Sequence, residues 1–430
     1  MTDLATHIQQ IRVCDTHEHL RKENDWVQDG PKDVLSDLFQ NYVPADLISA
    51  GATNDAVANL GSSDRDVAER FEAIGPAWSA IRHTGYGEAV RLLATELYGM
   101  PDDFGASDLV AAQSKLDGWR QAGGRRQLLE ETAGLDHVQT DDFCWPCPPD
   151  ASGPDFFFYD ISWAGFCNGV VDAEALHAET GVTVTDLASL REAMAAIFDR
   201  HGPHAIAVKA QHAYSRTLRW QERSDAEAAT ILPQVLTDGD KAPADQRQIL
   251  GDWCWTRGVE LAIEHNLPFK IHTGYYAGND RMPVDRIRSG HLTPLLAKYL
   301  DCRFVLMHIA YPYSGELVAL TKHYRNVYAD LCWAWSIDPF SSADFVRRFL
   351  HAAPINKLFA FGGDTGWPTS AAAYAIQARR WLTRALQAEV DEGLLTEANA
   401  IAVASRVLHD NQMDVFNVEA KKRACLADAG

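Results

Sequence analysis

Apolar residues along this chain gather into short, separated runs rather than into long amphipathic tracts. Eight runs rich in β-branched or aromatic residues stand out. They are Ile11–Thr16, Asp136–Thr140, Phe156–Ile161, Ala205–Ala210, Pro268–His272, Arg303–His308, Asn326–Leu331 and Leu358–Gly363. Each is too short for a helix, and most are followed by Gly, Asp, His or Pro, so each reads as a buried strand. From the fourth run onward the intervals hold amphipathic helical stretches. Arg247–Asn266 precedes the fifth run, Leu292–Leu300 the sixth and Asp344–His351 the eighth, and Ala371–Leu386 follows the eighth. Strand then helix, repeated, implies right-handed βαβ units and a parallel sheet. Eight such strands predict an α/β fold of the (β/α)8 TIM-barrel class, with a doubly wound open sheet as the structural competitor.

Two regions exceed a minimal barrel of ~250 residues. Residues 21–134 lie between the first and second strands and carry helical patterns such as Pro76–Ile81 and Gly87–Tyr98, so a helical insertion at the barrel mouth is expected. Residues 396–430 read as a helical C-terminal extension, which leaves 1–20 and 135–395 for the barrel. No flexible Gly/Ser linker flanks either region, so one compact body is expected rather than separate beads.

Composition narrows the function classes. The chain has 430 residues, 39 Lys+Arg against 59 Asp+Glu, and a formal net charge of −20. That balance argues against a nucleic-acid or anionic-membrane binder, because both need a basic footprint. No apolar run reaches the length of a membrane span, and MTDLATHIQQIRVCD lacks the layout of a signal peptide. The 8 cysteines are spread along the chain, which suits a reducing cytoplasm. A small-molecule substrate and a homo-oligomer are expected, with no nucleic acid or membrane as partner.

The sharpest local feature is Asp15-Thr16-His17-Glu18-His19, at the end of the first run. Residues i and i+2 of a strand share a face, so His17 and His19 can converge on one metal ion. Two histidines in a surface turn share that spacing, and alone the motif is weak. Other strand ends strengthen it. The fourth run holds Lys209, the fifth ends in His272, the sixth in His308, and Asp364 follows the eighth. In a (β/α)8 barrel the C-terminal strand ends face one cavity, so these groups would gather there.

This order of ligand-capable residues resembles the amidohydrolase superfamily, and the resemblance runs through nearly the whole chain. The segment LEETAGLDHVQTDD, after the helical insertion, is similar to uronate isomerases. VKAQHAYSR, IHTGYYAGND, MHIAYPYSGE and NVYADL resemble amidohydrolase modules fused elsewhere to glutamine-synthetase-like domains, although no synthetase-like half is present here. The resemblance implies a divalent ion, Zn with Mn or Fe as alternatives, held singly or as a pair by His17, His19, His272 and Asp364. Lys209 matches the position of a carboxylated bridging lysine in binuclear members, and its setting equally suits a plain lysine that binds a substrate anion. His308 matches a position that either binds a second metal or contacts substrate and moves protons; the second role is favoured. Asp364 would bind the metal weakly and accept a proton from water that the ion acidifies from ~15.7 toward ~7. His308 is expected to titrate near neutrality, and Asp15 to support His17.

Aromatic and cationic residues crowd the expected rim. Arg21, Arg82, Tyr214, Arg216, Tyr275, Tyr311, Trp335 and Trp367 are the candidates for substrate contact, and Trp333 shares a face with Trp335 if the seventh strand continues. As a group they suggest a small, carboxylate-bearing substrate with an apolar part. Cys144-Trp145-Pro146-Cys147 precedes a Pro-Pro-Asp loop and has no second CxxC, so it is discounted as a redox or zinc motif. Gly362-Gly363 is read as close backbone approach, and Lys421-Lys422-Arg423 as solvated helix surface. The leading expectation is a metal-dependent hydrolase cleaving a C–N or C–O bond of an amide, lactone or related molecule. Sugar-acid isomerisation or non-oxidative decarboxylation at the same site is the alternative. A catalytically silent barrel acting as a binding module is the reading from another class.

Overall fold

The structure is a computed structural model and describes residues 2–429. Eight parallel strands pair in chain order: β1 (Val13–Glu18), β2 (Leu135–Thr140), β3 (Phe157–Ser162), β4 (Ala207–Ala210), β5 (Phe269–Ile271), β6 (Phe304–Leu306), β7 (Val327–Asp330) and β8 (Leu358–Phe359). The first seven lie within a residue or two of the runs read from the sequence, and the eighth starts where expected but ends four residues earlier, at Phe359. The ring is drawn shut between β1 and the segment after β8. There the amides of Thr16, His19 and Asp364 donate to the carbonyls of Phe361, Thr365 and His17 at 3.1, 2.9 and 2.9 Å. A barrel rather than an open sheet results. Every residue of β1 and β3 is buried, because helices cover one face and the lumen is packed, so the runs are continuous rather than alternating.

The lumen is layered, and the layering positions the site. At its floor Phe158, Val305 and Phe359 cluster with Phe416, which is 0% exposed and comes from the C-terminal helices. The Phe416 and Phe359 ring centroids are 5.5 Å apart. One layer higher, Lys270 Nζ sits 5.3 Å from the Phe416 ring centroid and donates to both Asp160 oxygens at 2.9 Å. Residues two apart share a face, so a strand that turns Lys270 inward also turns His272 inward, and Asp15 brings His17 and His19 with it. Floor, charged layer and imidazole rim therefore follow from a period of two.

Helices fill the interval between β1 and β2, among them Val43–Ser49, Val67–Ile81 and Gly85–Leu92. The second starts earlier than the sequence pattern suggested, because Asp66 caps it by accepting the Ala68 and Glu69 amides. C-terminal helices Glu397–Ser405, Asn411–Val415 and Val418–Asp428 run under the barrel. Here the expectation of a solvated basic run fails for two residues. Lys421 Nζ donates to the Gly202 carbonyl at 2.7 Å, and Lys422 Nζ to Asp136 at 2.9 Å, so both fasten the last helix to the barrel base. No helix among the described residues is long and apolar enough to cross a membrane.

Phe416 closes the floor, so Phe416→Ala should leave a cavity that its neighbours cannot refill. A loss of about 3–5 kcal/mol in urea unfolding is expected, with the denaturant slope unchanged.

Candidate metal centre

His17 and His19 leave the end of β1 with their Nε2 atoms each 3.4 Å from Asp364 Oδ1. Four donors bound ~2.1 Å from a tetrahedral ion lie ~3.4 Å from one another, so this spacing suits shared ligation. Asp364 arrives by a crowded route. A Cβ on Gly363 would collide with the Glu18 carboxylate, and one on Gly362 would come within 2.8 Å of Cys332 Sγ and Thr16 Oγ1. Close approach therefore accounts for the double glycine. Asp364 itself adopts φ 59°, in the left-handed region.

Tautomers can be assigned, because a carbonyl only accepts. His19 Nδ1 lies 2.6 Å from the Asp141 carbonyl, His272 Nε2 3.0 Å from that of Tyr275, and His308 Nδ1 2.9 Å from that of Cys332. Each outer nitrogen must be the donor, which leaves the other as a lone pair. Those lone pairs meet acceptors. His272 Nδ1 and His308 Nε2 are 2.9 Å apart, His308 Nε2 is 3.8 Å from Asp364 Oδ2, and His19 Nε2 faces Asp364 Oδ1. Lys209 Nζ donates into this group, 2.9 Å from His17 Nε2. Acceptor against acceptor is repulsive in a buried site, and a divalent cation relieves it. The residues fit the ion.

Electrostatics agree. Burial pushes His19 down to about 3 and His308 down to about 4, with Lys209 and His17 adding to the effect. His308 is therefore neutral at pH 7 and does not titrate near neutrality as its ordinary value suggests.

A family description, "Amidohydrolase", matches residues 148–411, most of the chain. The chain belongs to the amidohydrolase family. Its match begins after β2, so His17 and His19 join the set through the geometry above. Protein fluG of Emericella nidulans is 25% identical over 229 residues, which are 50% of this chain and 24% of that protein. This amidohydrolase thus spans about a quarter of that relative's length. Among solved structures, a uronate isomerase from Thermotoga maritima is 14% identical, with a TM-score of 0.80 over 96% of both chains. A glucuronate isomerase from Caulobacter crescentus is 16% identical, with a TM-score of 0.79 over 97% of this chain and 93% of its own. A Lactobacillus casei protein described by class as a metal-dependent hydrolase is 15% identical, with a TM-score of 0.68 over 98% and 99%. These likenesses establish the fold.

Two chambers of about 380 and 430 Å³ open onto the ligands and share His19, Tyr42, Phe143 and Asp364 as walls. Arg21 lines the first, and Tyr214, His272 and Arg281 the second. Tyr214 stacks on Tyr276 with ring centroids 4.5 Å apart. Tyr275 packs between Tyr311 and Trp333, outside both chambers. Other predicted contacts lie elsewhere. Arg82 pairs with Asp102, and buried Arg216 holds Asp252 and the Cys167 carbonyl. Trp335 Nε1 donates to the Ala360 carbonyl at 2.7 Å, and Trp367 packs on Trp26. β7 ends at Asp330 and Trp333 turns left-handed at φ 61°, so the two tryptophans part. Trp333 instead stands edge-on to His308 with ring centroids 5.3 Å apart.

Tyr42, Phe143, Asp160 and Arg281 were not singled out by sequence as wall, wedge or support. Phe143, though 63% exposed, lies flat on His19 at 4.4 Å between ring centroids. Cys144, held by Asp142, has its thiol raised to about 12 by burial and that carboxylate, so the CxxC loop carries no reactive thiol there. A groove of about 580 Å³ on the outer helices shares no residue with the site.

Behind the rim His212 is 0% exposed, with neither ring nitrogen partnered, edge-on to Trp255 at 4.1 Å between centroids. Burial, with Arg216 adding to it, holds its pKa well below 6.5. Below the ordinary histidine value the unfolded chain takes up a proton that the folded chain refuses, so this contribution to stability is lost as pH falls. In metal-free protein, His212→Leu should flatten the loss of stability below pH ~6.5 by about 1.4 kcal/mol per pH unit, read from urea midpoints across the range.

Proposed function

We propose that this amidohydrolase is a divalent-metal-dependent hydrolase that cleaves a C–N or C–O bond of a small, carboxylate-bearing molecule. The observation that carries it is the convergence of the His19 and His308 lone pairs on the Asp364 carboxylate, with the His272 lone pair set against that of His308. His17, His19, His272 and Asp364 would hold the ion, with Lys209 beside His17 either as a bridging group or as a receptor for a substrate anion. A bound divalent ion supplies Lewis-acid chemistry, polarising a carbonyl and lowering the pKa of water from about 15.7 toward about 7.

The residues do the rest. Asp364 directs Oδ1 at His17 and His19, which leaves Oδ2 to accept a proton from attacking water and return it to the leaving group. His308, neutral and with its Nδ1–H committed to the Cys332 carbonyl, offers Nε2 as an acceptor 3.8 Å from Asp364 Oδ2. Tyr42 and Phe143 wall both chambers and give the substrate pocket its apolar side, with Trp333 packed behind Tyr42. Arg281 is exposed, and its Nη2 reaches only the Ala277 carbonyl, at 3.5 Å, so its guanidinium is available to a substrate carboxylate.

The likeness to uronate and glucuronate isomerases over nearly the whole chain favours sugar-acid isomerisation as the second reading. A panel of carboxylate-bearing N-acyl amino acids and lactones, run beside D-glucuronate with metal-loaded protein, separates the two. Hydrolysis is expected, with Asp364→Asn lowering kcat by about 10²–10⁴-fold. Aldose–ketose exchange alone would replace hydrolysis by isomerisation. Absence of both stoichiometric metal and activity would leave a binding module. For the substrate found, Arg281→Met should raise KM by about 10–100-fold, the loss of one charge-assisted contact, with metal content unchanged.

A further inference from the structure

Three imidazoles at the rim spend their outer N–H on backbone carbonyls, and His17 differs. Its Nδ1 is buried, has no hydrogen-bond partner, and faces Asp160 Oδ2 at 3.8 Å. That carboxylate is held from beneath. Lys270 Nζ donates to both Asp160 oxygens at 2.9 Å and to the carbonyl of Thr16, the residue before His17, at 2.7 Å. The contacts make a closed loop across the lumen, from β1 through β5 to β3 and back to β1. All three side chains are 0% exposed.

An ion pair so deeply buried adds little stability by itself, since removing two charges from water offsets their attraction. Its position indicates another use. A carboxylate facing the outer nitrogen of a metal-binding imidazole fixes the tautomer, aims the inner lone pair and raises its basicity. We infer that Asp160, clamped by Lys270, is the positioning residue for His17: it holds the Nδ1–H tautomer and makes His17 the most strongly donating ligand of the set. This rests on the metal site proposed above.

The test uses metal affinity and spectra, with no substrate needed. Wild-type protein stripped with chelator and titrated with Co2+ should bind stoichiometrically and give visible d–d bands. Asp160→Asn should lower Co2+ affinity by about 10–100-fold and shift those bands, with Asp160→Glu recovering part of both. Should Asp160→Asn fail to fold, the double variant Asp160→Leu/Lys270→Met replaces the pair by apolar groups. It is expected to melt near the wild type yet bind metal as weakly as Asp160→Asn. In ¹⁵N-histidine spectra of the metal-free wild type, His17 should be the Nδ1–H tautomer. Unchanged affinity and bands in a folded variant, or an Nε2–H tautomer at His17, would overturn the inference while leaving the metal site standing. A wild type that binds no Co2+ overturns both.

Discussion

A buried group of acceptors cannot persist without positive charge, and that constraint organises the rim of this barrel. Once the outer nitrogens of His19, His272 and His308 are committed to carbonyls, their inner lone pairs have no choice of direction. They point at one another and at Asp364. Burial keeps the rings neutral at pH 7, so they do not resolve the repulsion by taking up protons. Lys209 donates to His17 Nε2, and a divalent cation would relieve what remains. Strand ends, glycines and loops at the C-terminal face all serve to hold these atoms within a few ångströms.

The layers beneath explain how such a rim is tolerated. A lumen filled only with aliphatic side chains would pack well, but it would offer no polar partner to a histidine turned inward. Here Asp160 and Lys270 occupy the middle layer as a neutral pair, and Phe416 seals the floor below them. Lys270 holds Asp160 below its ordinary pKa despite burial, so the carboxylate stays charged where an imidazole N–H needs an acceptor. The net charge of −20 sits with this arrangement, because the excess acid is largely outside and Arg21 and Arg281 line the mouth.

The barrel was readable from sequence because each strand is buried on both sides and leaves a compact apolar run. Candidate ligands were readable for the same reason, since strand ends carry them at fixed places. Residues set by turns were not. Trp333 and Trp335 look equivalent at a spacing of two, and only the left-handed turn at Trp333 sends one to His308 and the other to Ala360. Arg216 and Arg82 look like anion receptors until their acidic partners, distant in sequence, are placed beside them. Tyr42 and Phe143 belong to a helical segment and a loop whose course no periodicity encodes. Lys421 and Lys422 show the converse error, since a basic run reads as solvated unless the carbonyls and carboxylate that receive it are known.

The helical segment between β1 and β2 does more than cover the mouth. Tyr42 donates its hydroxyl to the Asp364 carbonyl at 2.6 Å, while the Asp364 amide donates to the His17 carbonyl at 2.9 Å. Both peptide groups of a residue in the left-handed region are thus tied, one to the segment and one to β1. A non-glycine residue there costs roughly 1–3 kcal/mol unless its surroundings fix it. Tyr42 also lies against Trp333, and Trp333 against His308, so one aromatic contact chain joins the segment to both Asp364 and His308. Substitutions between β1 and β2 can therefore re-aim Asp364 without touching a ligand. One fold can serve different reactions, which fits neighbours whose names divide between isomerase and hydrolase.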